Sequence, residues 1–492
     1  MILVIIIIII ALPAILMHLL LRKNKKNSSC KNNLPPGPRG LPLIGNLHQL
    51  AGATFPHIYL SHLSKIHGPL LRLNLGSTAV VVVSSAKLAK QVLKDQDLTF
   101  CSRPKLVAQQ KLSYNASDMV FSPYNAHWRE VRRIAAAHLL SPTKVQSFRP
   151  VREDEVARMV AKIASSPHPV VDLSAAAMGL TTTLICRIGF GRRYEEQGAE
   201  RRRFEELLRE LRQLTTTFFV SDYFPALSWV DKASGLMKRI DCAFEKLDSF
   251  YQELIDDHLR RRRHGGVAGT EEEDHDDILR TNIFLGGTDS SAASIVWNMT
   301  ALMKAPAMMK KVQEEIRNVV GNKGKVDDDD LPKLPYLKAI INETFRLYSP
   351  VPMLAPRETT AKCNLNGYEI PPKTTVYVNV WAIARDPEYW TFSPEEFLPE
   401  RFMGSDIDMI DVKGQDFGAI PFGSGRRICP GMFMGLANVE LAVANLLYSF
   451  DWEMPPGIGI DQLDTDALPG LIMHKKNPLL LQPKLYNFRS KN

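Results

Sequence analysis

The chain has 492 residues, 61 of them Lys or Arg against 53 Asp or Glu, for a formal charge of +8, and 45% of it is hydrophobic. That is enough apolar chain for a large packed core, in one big domain or in two or three ordinary ones, and the positive balance suits nucleic acid, a membrane surface, an acidic partner or solubility alone. The six cysteines form no C-x-x-C and no His pair stands at zinc-finger spacing, which argues against a disulfide framework or a structural zinc site and fits a reducing compartment.

Ile2 to Leu21 is an almost unbroken apolar run, followed at once by the basic stretch Arg22 to Lys26. About 20 helical residues span a bilayer core, and the basic flank holds the rest of the chain on the cytoplasmic side. A cleaved signal peptide is the rival reading, but the run has no charged leader and no A-x-A site follows it. We therefore expect a transmembrane signal anchor over residues 1–21. Pro35, Pro36 and Pro38 then favour extended chain, so residues 22–38 read as a stiff basic and proline-rich hinge.

The rest, 39–492, reads as a helix-rich globule, mainly α with small β-sheets, an α+β architecture. Residues 70–83 predict a hairpin about a Gly-Ser turn, and residues 365–380 predict a second one. From about 85 to 260 the pattern is mostly helical. The basic run Arg260 to Arg263 closes a helix, 265–277 reads as a Gly- and acid-rich loop, and Asp327 to Asp330 as an exposed acidic patch. Further helices are predicted around 283–303, 333–348 and 433–448.

Four motifs carry candidate chemistry. In "PFGSGRRICPG", Pro421 to Gly431, one cysteine sits among three glycines and two arginines and just before a helix. Backbone N–H groups, Arg426 and Arg427 and the helix N-terminus all favour a thiolate at Cys429, the form that ligates a metal such as haem iron. A glycine turn with an incidental cysteine is the bland alternative. In "NETFRLYSP", Glu343 and Arg346 stand i, i+3 and can pair, as an ordinary surface salt bridge or as something more; Arg401 of "LPERF" could join them. In "FLGGTDSSAAS", Phe284 to Ser294, two glycines precede an acid and two hydroxyls: either a helix-packing notch, or a groove where a ligand approaches backbone beside a proton source. His275, Asp276 and Asp277 match the H-x-D of non-haem iron sites, but inside an acidic run with no firm scaffold.

In this order and combination the four motifs resemble a cytochrome P-450, a haem-thiolate monooxygenase, along essentially the whole chain. The resemblance implies haem b held by Cys429 as axial iron ligand, with Phe422 beside it. It implies that Trp128, Arg132, Arg357 and Arg427 reach the haem propionates. Glu343, Arg346 and Arg401 would form a structural triad behind the haem, and Asp289 and Ser290 the acid–alcohol pair of the distal helix. By the same likeness the partners are an NADPH-cytochrome P-450 reductase, a small hydrophobic substrate and membrane lipid, at the endoplasmic-reticulum membrane with a cytosolic catalytic domain. The substrate pocket would be lined by residues 106–120, 351–355 and 469–472.

"FFVSDYFPALSWVD", "SFRPVREDE" and "GQDFGAIPFGSGRRICPG" are similar to the plant subgroup that oxidises aldoximes, which includes members with other small aromatic substrates. Two departures stand out. Ser290 replaces the usual threonine, keeping the hydroxyl and losing the methyl that stiffens χ1. "EEEDHDDILRTNIFLGG" resembles a fusion of two segments that are separate in the family, so the distal helix is expected to start late and part of the pocket wall to be missing. A reductase-independent isomerase or dehydratase, and a haem-binding protein impaired by that deletion, are the alternative functions.

Overall fold

The computed structural model describes residues 33–191, 193, 198–264, 271–404 and 414–488. The expected anchor, 1–21, lies outside them. The main helices are α1 Pro56–His67, α2 Ala126–Ala135, α3 Arg149–Ala164, α4 Leu173–Phe190, α5 Ala199–Thr216, α6 Leu236–His264, α7 Glu271–Lys304, α8 Pro306–Val320, α9 Pro335–Leu347 and α10 Met432–Ser449. The strands are β1 Leu70–Leu75, β2 Thr78–Val83, β3 Val171–Asp172, β4 Arg357–Glu358, β5 Cys363–Leu365, β6 Tyr368–Ile370, β7 Thr375–Val378, β8 Phe450–Glu453 and β9 Leu480–Leu485. Helices dominate and the sheets are small, as the apolar patterning predicts.

β1 and β2 form the first predicted hairpin, with Leu70 opposite Val83 and Gly76 at φ 57° in the turn. The second hairpin is misplaced by the sequence reading. β6 and β7 do not pair with one another: β6 pairs with β5 across Asn366 and Gly367, while β7 runs parallel to β2 and antiparallel to β4. Pro371 and Pro372 explain the break, because neither can donate to a ladder. The described end of the proline segment is no free hinge either. Pro35 is buried and Arg72 N–H donates to Pro36 O at 2.8 Å, which docks this stretch on β1.

The distal helix does not start late. α7 runs 34 residues from Glu271, so the acidic residues 271–277 fill its first two turns instead of extending the loop. It crosses the core against α4, α9 and α10, packing Ile295, Met299 and Leu302 on Leu180, Leu184, Ile340 and Leu441. Burial of such side chains contributes about 1.5–3 kcal/mol each. Among the described residues, Leu173–Phe190 and Met432–Ser449 are long and apolar enough to cross a membrane, but both are 61% buried and serve as core helices.

Asp327 to Asp330 are not an exposed patch. Asp328 pairs with buried Arg152, Asp327 and Asp330 with Lys323, and only Asp329 stays open, bonded to Arg149 at 2.8 Å. Half of the run is met by the nearby Lys323, and Asp328 and Asp329 by arginines of α3, 176 and 180 positions earlier in the chain.

Candidate functional site

The cysteine loop is built by glycine. Gly423 and Gly425 have φ 71° and 70°. A Cβ on Gly425 would lie 2.0 Å from Leu93 O, so no other residue fits there without moving backbone. Cys429 N–H donates to Phe422 O at 2.8 Å, closing the loop. The Gly431 N–H, at the cap of α10, points at the sulfur. Cys429 keeps part of its surface open although protein surrounds it, and Phe422 stands edge-on to Phe345 at 5.5 Å.

The expected charge support for the thiolate is corrected in detail. Arg426 is exposed and spends its charge on Asp97 at 3.0 Å, while Arg427 turns to Cys101 O and Ser122 O. Burial therefore pushes the Cys429 thiol up, against the Gly431 N–H and the Arg132 charge, which pull it down. The loop supplies geometry; a ligated cation must supply most of the stabilisation of S⁻.

Next to the loop lies a group of buried arginines. Arg427 Nε donates to Cys101 O at 2.7 Å and Nη2 to Ser122 O at 2.6 Å; its Nη1 is buried without a partner. Its guanidinium stacks 4.1 Å over Trp128, and Arg132 lies 5.5 Å from the same ring. The Trp128 indole N–H, expected to face a propionate, donates to Met119 O at 2.9 Å. Arg132 bonds Ile428 O at 2.6 Å. Arg357, also expected at a propionate, is engaged by Asp97 at 3.2 Å and Ser424 O at 3.1 Å. The sequence reading missed Arg103, which is buried and bonds the carbonyls of Val120, Ala355 and Pro356, and it missed Asp97, which gathers Arg357 and Arg426. No local signal marks either, since Asp97 acts on arginines more than 200 positions away and Arg103 joins Val120 to carbonyls about as distant.

These cations repel one another. Arg427 is pushed down to about 10, first by burial and then by Arg357 and Arg132; Arg103 is pushed down by burial, Arg427 and Arg357. The carboxyl that offsets both is Asp118, itself pushed up to about 6 by burial. An orphaned guanidinium nitrogen and an excess of buried positive charge beside a half-buried cysteine fit haem, whose propionates bring two negative charges and whose iron takes a thiolate.

On the far side, α7 separates the two readings of its glycine pair. Gly287 is the packing notch: a Cβ there would stand 2.7 Å from Ile185 Cδ1 of α4. Gly286 faces open space, and Ser290, one turn on, donates its hydroxyl to Gly286 O at 3.1 Å. Asp289 is buried and points elsewhere, its Oδ2 lying 3.3 Å from Arg212 Nε and 3.9 Å from His474 Nε2. A Cβ on Gly435 of α10 would stand 3.8 Å from Ser291 Oγ, so the cysteine helix and α7 pass close to one another there. Of the expected pocket walls, Ala355 and Val120 converge on Arg103, and Met473 N–H donates to Pro350 O at 2.8 Å, which sets 469–472 beside 351–355. The side chains of His275, Asp276 and Asp277 lie outside the described residues.

The triad assembles as expected, and it is no surface bridge. Glu343 and Arg346 pair at 2.7 and 2.8 Å with both side chains 0% exposed, and Arg401 Nε joins Glu343 at 3.1 Å.

A family model described as Cytochrome P450 matches residues 35–481. The chain is 46% identical over 477 residues to a 6,7,8-trihydroxycoumarin synthase of Pastinaca sativa, covering 92% of this chain and 94% of that protein. It is 43% identical over 486 residues to a strychnine-11-hydroxylase of Strychnos nux-vomica, covering 94% of each. A zebra fish cytochrome P450 structure with abiraterone superposes with a TM-score of 0.73 at 24% identity, over 88% of this chain and 100% of that one, a likeness of fold.

Proposed function

The chain belongs to the cytochrome P450 family and is a monooxygenase, and from that premise we propose that it hydroxylates a small, apolar aromatic plant metabolite. The family works with a reductase as redox partner and with hydrophobic substrates. For this chain we propose electrons from NADPH through a cytochrome P-450 reductase, and a single N-terminal anchor over residues 1–21 in the endoplasmic-reticulum membrane. The apolar run and its basic flank support the anchor. The names of the relatives, a 6,7,8-trihydroxycoumarin synthase and a strychnine-11-hydroxylase, support hydroxylation of a small plant metabolite.

The observation that carries the reading is the Cys429 loop, a half-buried cysteine whose backbone N–H donates to Phe422 O and whose sulfur meets the Gly431 N–H, beside the unpartnered Arg427 Nη1. The Cys429 sulfur would hold haem, which would supply the dioxygen-activating chemistry. Arg427 and Arg132 would hold the propionates and fix the ring plane. The Gly286–Ser290 face of α7 leaves open space, and the Ser290 hydroxyl could hold a water or a hydrogen bond there. Asp289, pushed up to about 6 by burial against the pull of Arg212, can hold a proton near neutral pH, with its carboxyl turned to Arg212 and His474 and away from that face. Apolar walls keep the substrate dry. The Ser290 hydroxyl and the intact cysteine loop favour oxygen insertion over the isomerase reading.

The test is turnover of hydroxycoumarin-type aromatics under labelled dioxygen. One labelled oxygen per product, dependent on reductase, is expected, and Cys429→Ser should lose the thiolate-type carbon monoxide band. Turnover without reductase would establish the isomerase instead.

A further inference from the structure

One peptide plane in the cysteine loop is held from both of its edges. Gly425 and Arg426 share it: the Arg426 N–H donates to Asp97 Oδ2 at 2.9 Å, and on the opposite edge Gly425 O accepts the Ile428 N–H at 3.0 Å. Ile428 is the residue before Cys429, and its own carbonyl takes Arg132 Nη2 at 2.6 Å. The preceding plane is fixed as well. Ser424 O accepts Arg357 Nη2 at 3.1 Å, and Arg357 Nη1 returns to Asp97 Oδ1 at 3.2 Å. Asp97, Arg357 and the backbone from Ser424 to Arg426 therefore close a hydrogen-bonded ring around Gly425.

Gly425 needs that ring. Its φ is 70°, and a Cβ there would meet Leu93 O at 2.0 Å, so the position admits only glycine. Glycine takes either sign of φ about as readily, which leaves its peptide planes free to turn over. A flip of the Gly425–Arg426 plane would swing the N–H off the carboxylate and the carbonyl off Ile428 together. Asp97 is placed to resist it. Its side chain is 3% exposed. It opens the short helix Asp97–Phe100, in which Phe100 is fully buried and Thr99 O accepts the Thr360 N–H at 2.8 Å. Cys101, just after that helix, takes Arg427 Nε on its carbonyl at 2.7 Å, so one fixed segment receives two successive loop residues. A charged acceptor makes the stronger hydrogen bond, and this one is shielded from water.

We propose that Asp97 is a positioning residue for the sulfur ligand: its carboxylate locks the Gly425–Arg426 peptide, and through Gly425 O and Ile428 it fixes the backbone from which Cys429 presents its thiolate. This rests on the haem-thiolate reading above. The ion pair of Asp97 with Arg426 Nη1, at 3.0 Å, adds less, because solvent screens an arginine side chain that is 46% exposed. The holding contact is the buried N–H.

The experiment uses the full-length holoprotein as wild type, Asp97→Asn and Arg426→Met. The first readout needs neither turnover nor a variant: amide deuterium exchange resolved to single residues. If one plane holds both amides, Arg426 and Ile428 open in the same event, and their wild-type protection factors should agree within about fivefold. A wider gap overturns the lock. Asp97→Asn keeps the size of the side chain but turns an NH2 toward either Arg357 or the Arg426 N–H. Exchange at Arg426 and Ile428 should then rise together about tenfold or more, with α9 unchanged, and part of the carbon monoxide band should move from the thiolate-type to the thiol-type position. Arg426→Met keeps the N–H and should match wild type in both readouts. Wild-type exchange and band in Asp97→Asn overturn the proposal, as does an equal rise over α9. A rise in Arg426→Met overturns it too, since the side-chain ion pair would then be the holding contact. The wild-type comparison stands even where Asp97→Asn does not fold. A wild type whose two amides open together but which shows no thiolate-type band sinks the haem-thiolate reading and leaves the lock standing.

Discussion

Glu343→Gln tests the buried triad. Glu343 accepts four hydrogen bonds: Arg346 Nε at 2.7 Å, Arg346 Nη2 at 2.8 Å, Arg401 Nε at 3.1 Å and Leu398 N–H at 2.8 Å. Gln keeps the volume and one acceptor oxygen but places an NH2 against a guanidinium. Arg346 retains the carbonyls of Ala384, Pro394 and Glu396, and Arg401 those of Phe392 and Ser393. Both cations therefore stay solvated by backbone dipoles and lose their anion. Removing one partner of a buried pair costs about 3–5 kcal/mol, against a total stability of about 5–15 kcal/mol. The exposed pair Lys484–Glu453, at 2.6 Å, is the control, and Glu453→Gln should cost about 0–1 kcal/mol. Urea unfolding followed by fluorescence, with the carbon monoxide band per mole of protein, reads both. Glu343→Gln should unfold at clearly lower urea and lose more than half its band. Equal midpoints for the two variants would refute the reasoning, because burial would then confer no extra dependence on the pair.

Ser290→Ala should keep haem binding and NADPH consumption but yield less product and more peroxide, and Ser290→Thr should restore coupling by narrowing the rotamer choice; unchanged product per NADPH in the alanine variant would assign the hydroxyl's role to Ser291 or to water. Arg427→Met should weaken haem retention about tenfold or more, since it removes the cation whose Nη1 has no protein partner, and haem loss to a scavenger protein measures it. Glu440, pushed up to about 7 by burial, binds a proton in the folded state between pH 4.5 and 7 that the unfolded chain has already lost. Stability is therefore lost as pH rises through that window. Glu440→Gln should gain on the order of 1–3 kcal/mol at pH 8 and nothing near pH 4, and equal urea midpoints at pH 8 would count against it.

What could be read in advance was local. The cysteine loop announces itself because its glycines, arginines and cysteine act within eleven positions, Pro421 to Gly431. The β1–β2 hairpin was legible because both strands flank one turn. The second hairpin failed because β7 finds β2, almost 300 positions earlier, and nothing in 365–380 encodes that partner. Asp327 to Asp330 read as solvated because charge runs usually are, yet Arg149 and Arg152 arrive from α3. The first turns of α7 looked like loop because acids and glycines suit loops, and tertiary context overrides propensity. Arg427 does lie next to the loop, but its charge was credited to the cysteine when the fold directs it to Cys101 O and Ser122 O.

That last displacement bears on how the fold and its cofactor depend on each other. A loop that stabilised its own thiolate would need no metal to ionise it. Here burial raises the Cys429 thiol, and one backbone N–H and the charge of Arg132 oppose it. Arg103, Arg357 and Arg427 likewise repel one another, with Asp97 and Asp118, the latter pushed up to about 6 by burial, as counter-charges. Both strains have the same sign: each is relieved by a group that brings a cation to the sulfur and two anions to the arginines. Haem does both at once. Its binding is then coupled to loss of the thiol proton and to relief of buried positive charge, so binding free energy becomes folding free energy. The triad on Glu343 lies outside this exchange, because its charges are already balanced within the protein. It can hold the scaffold behind the loop before haem arrives, which is why its loss should show first as failure to retain haem.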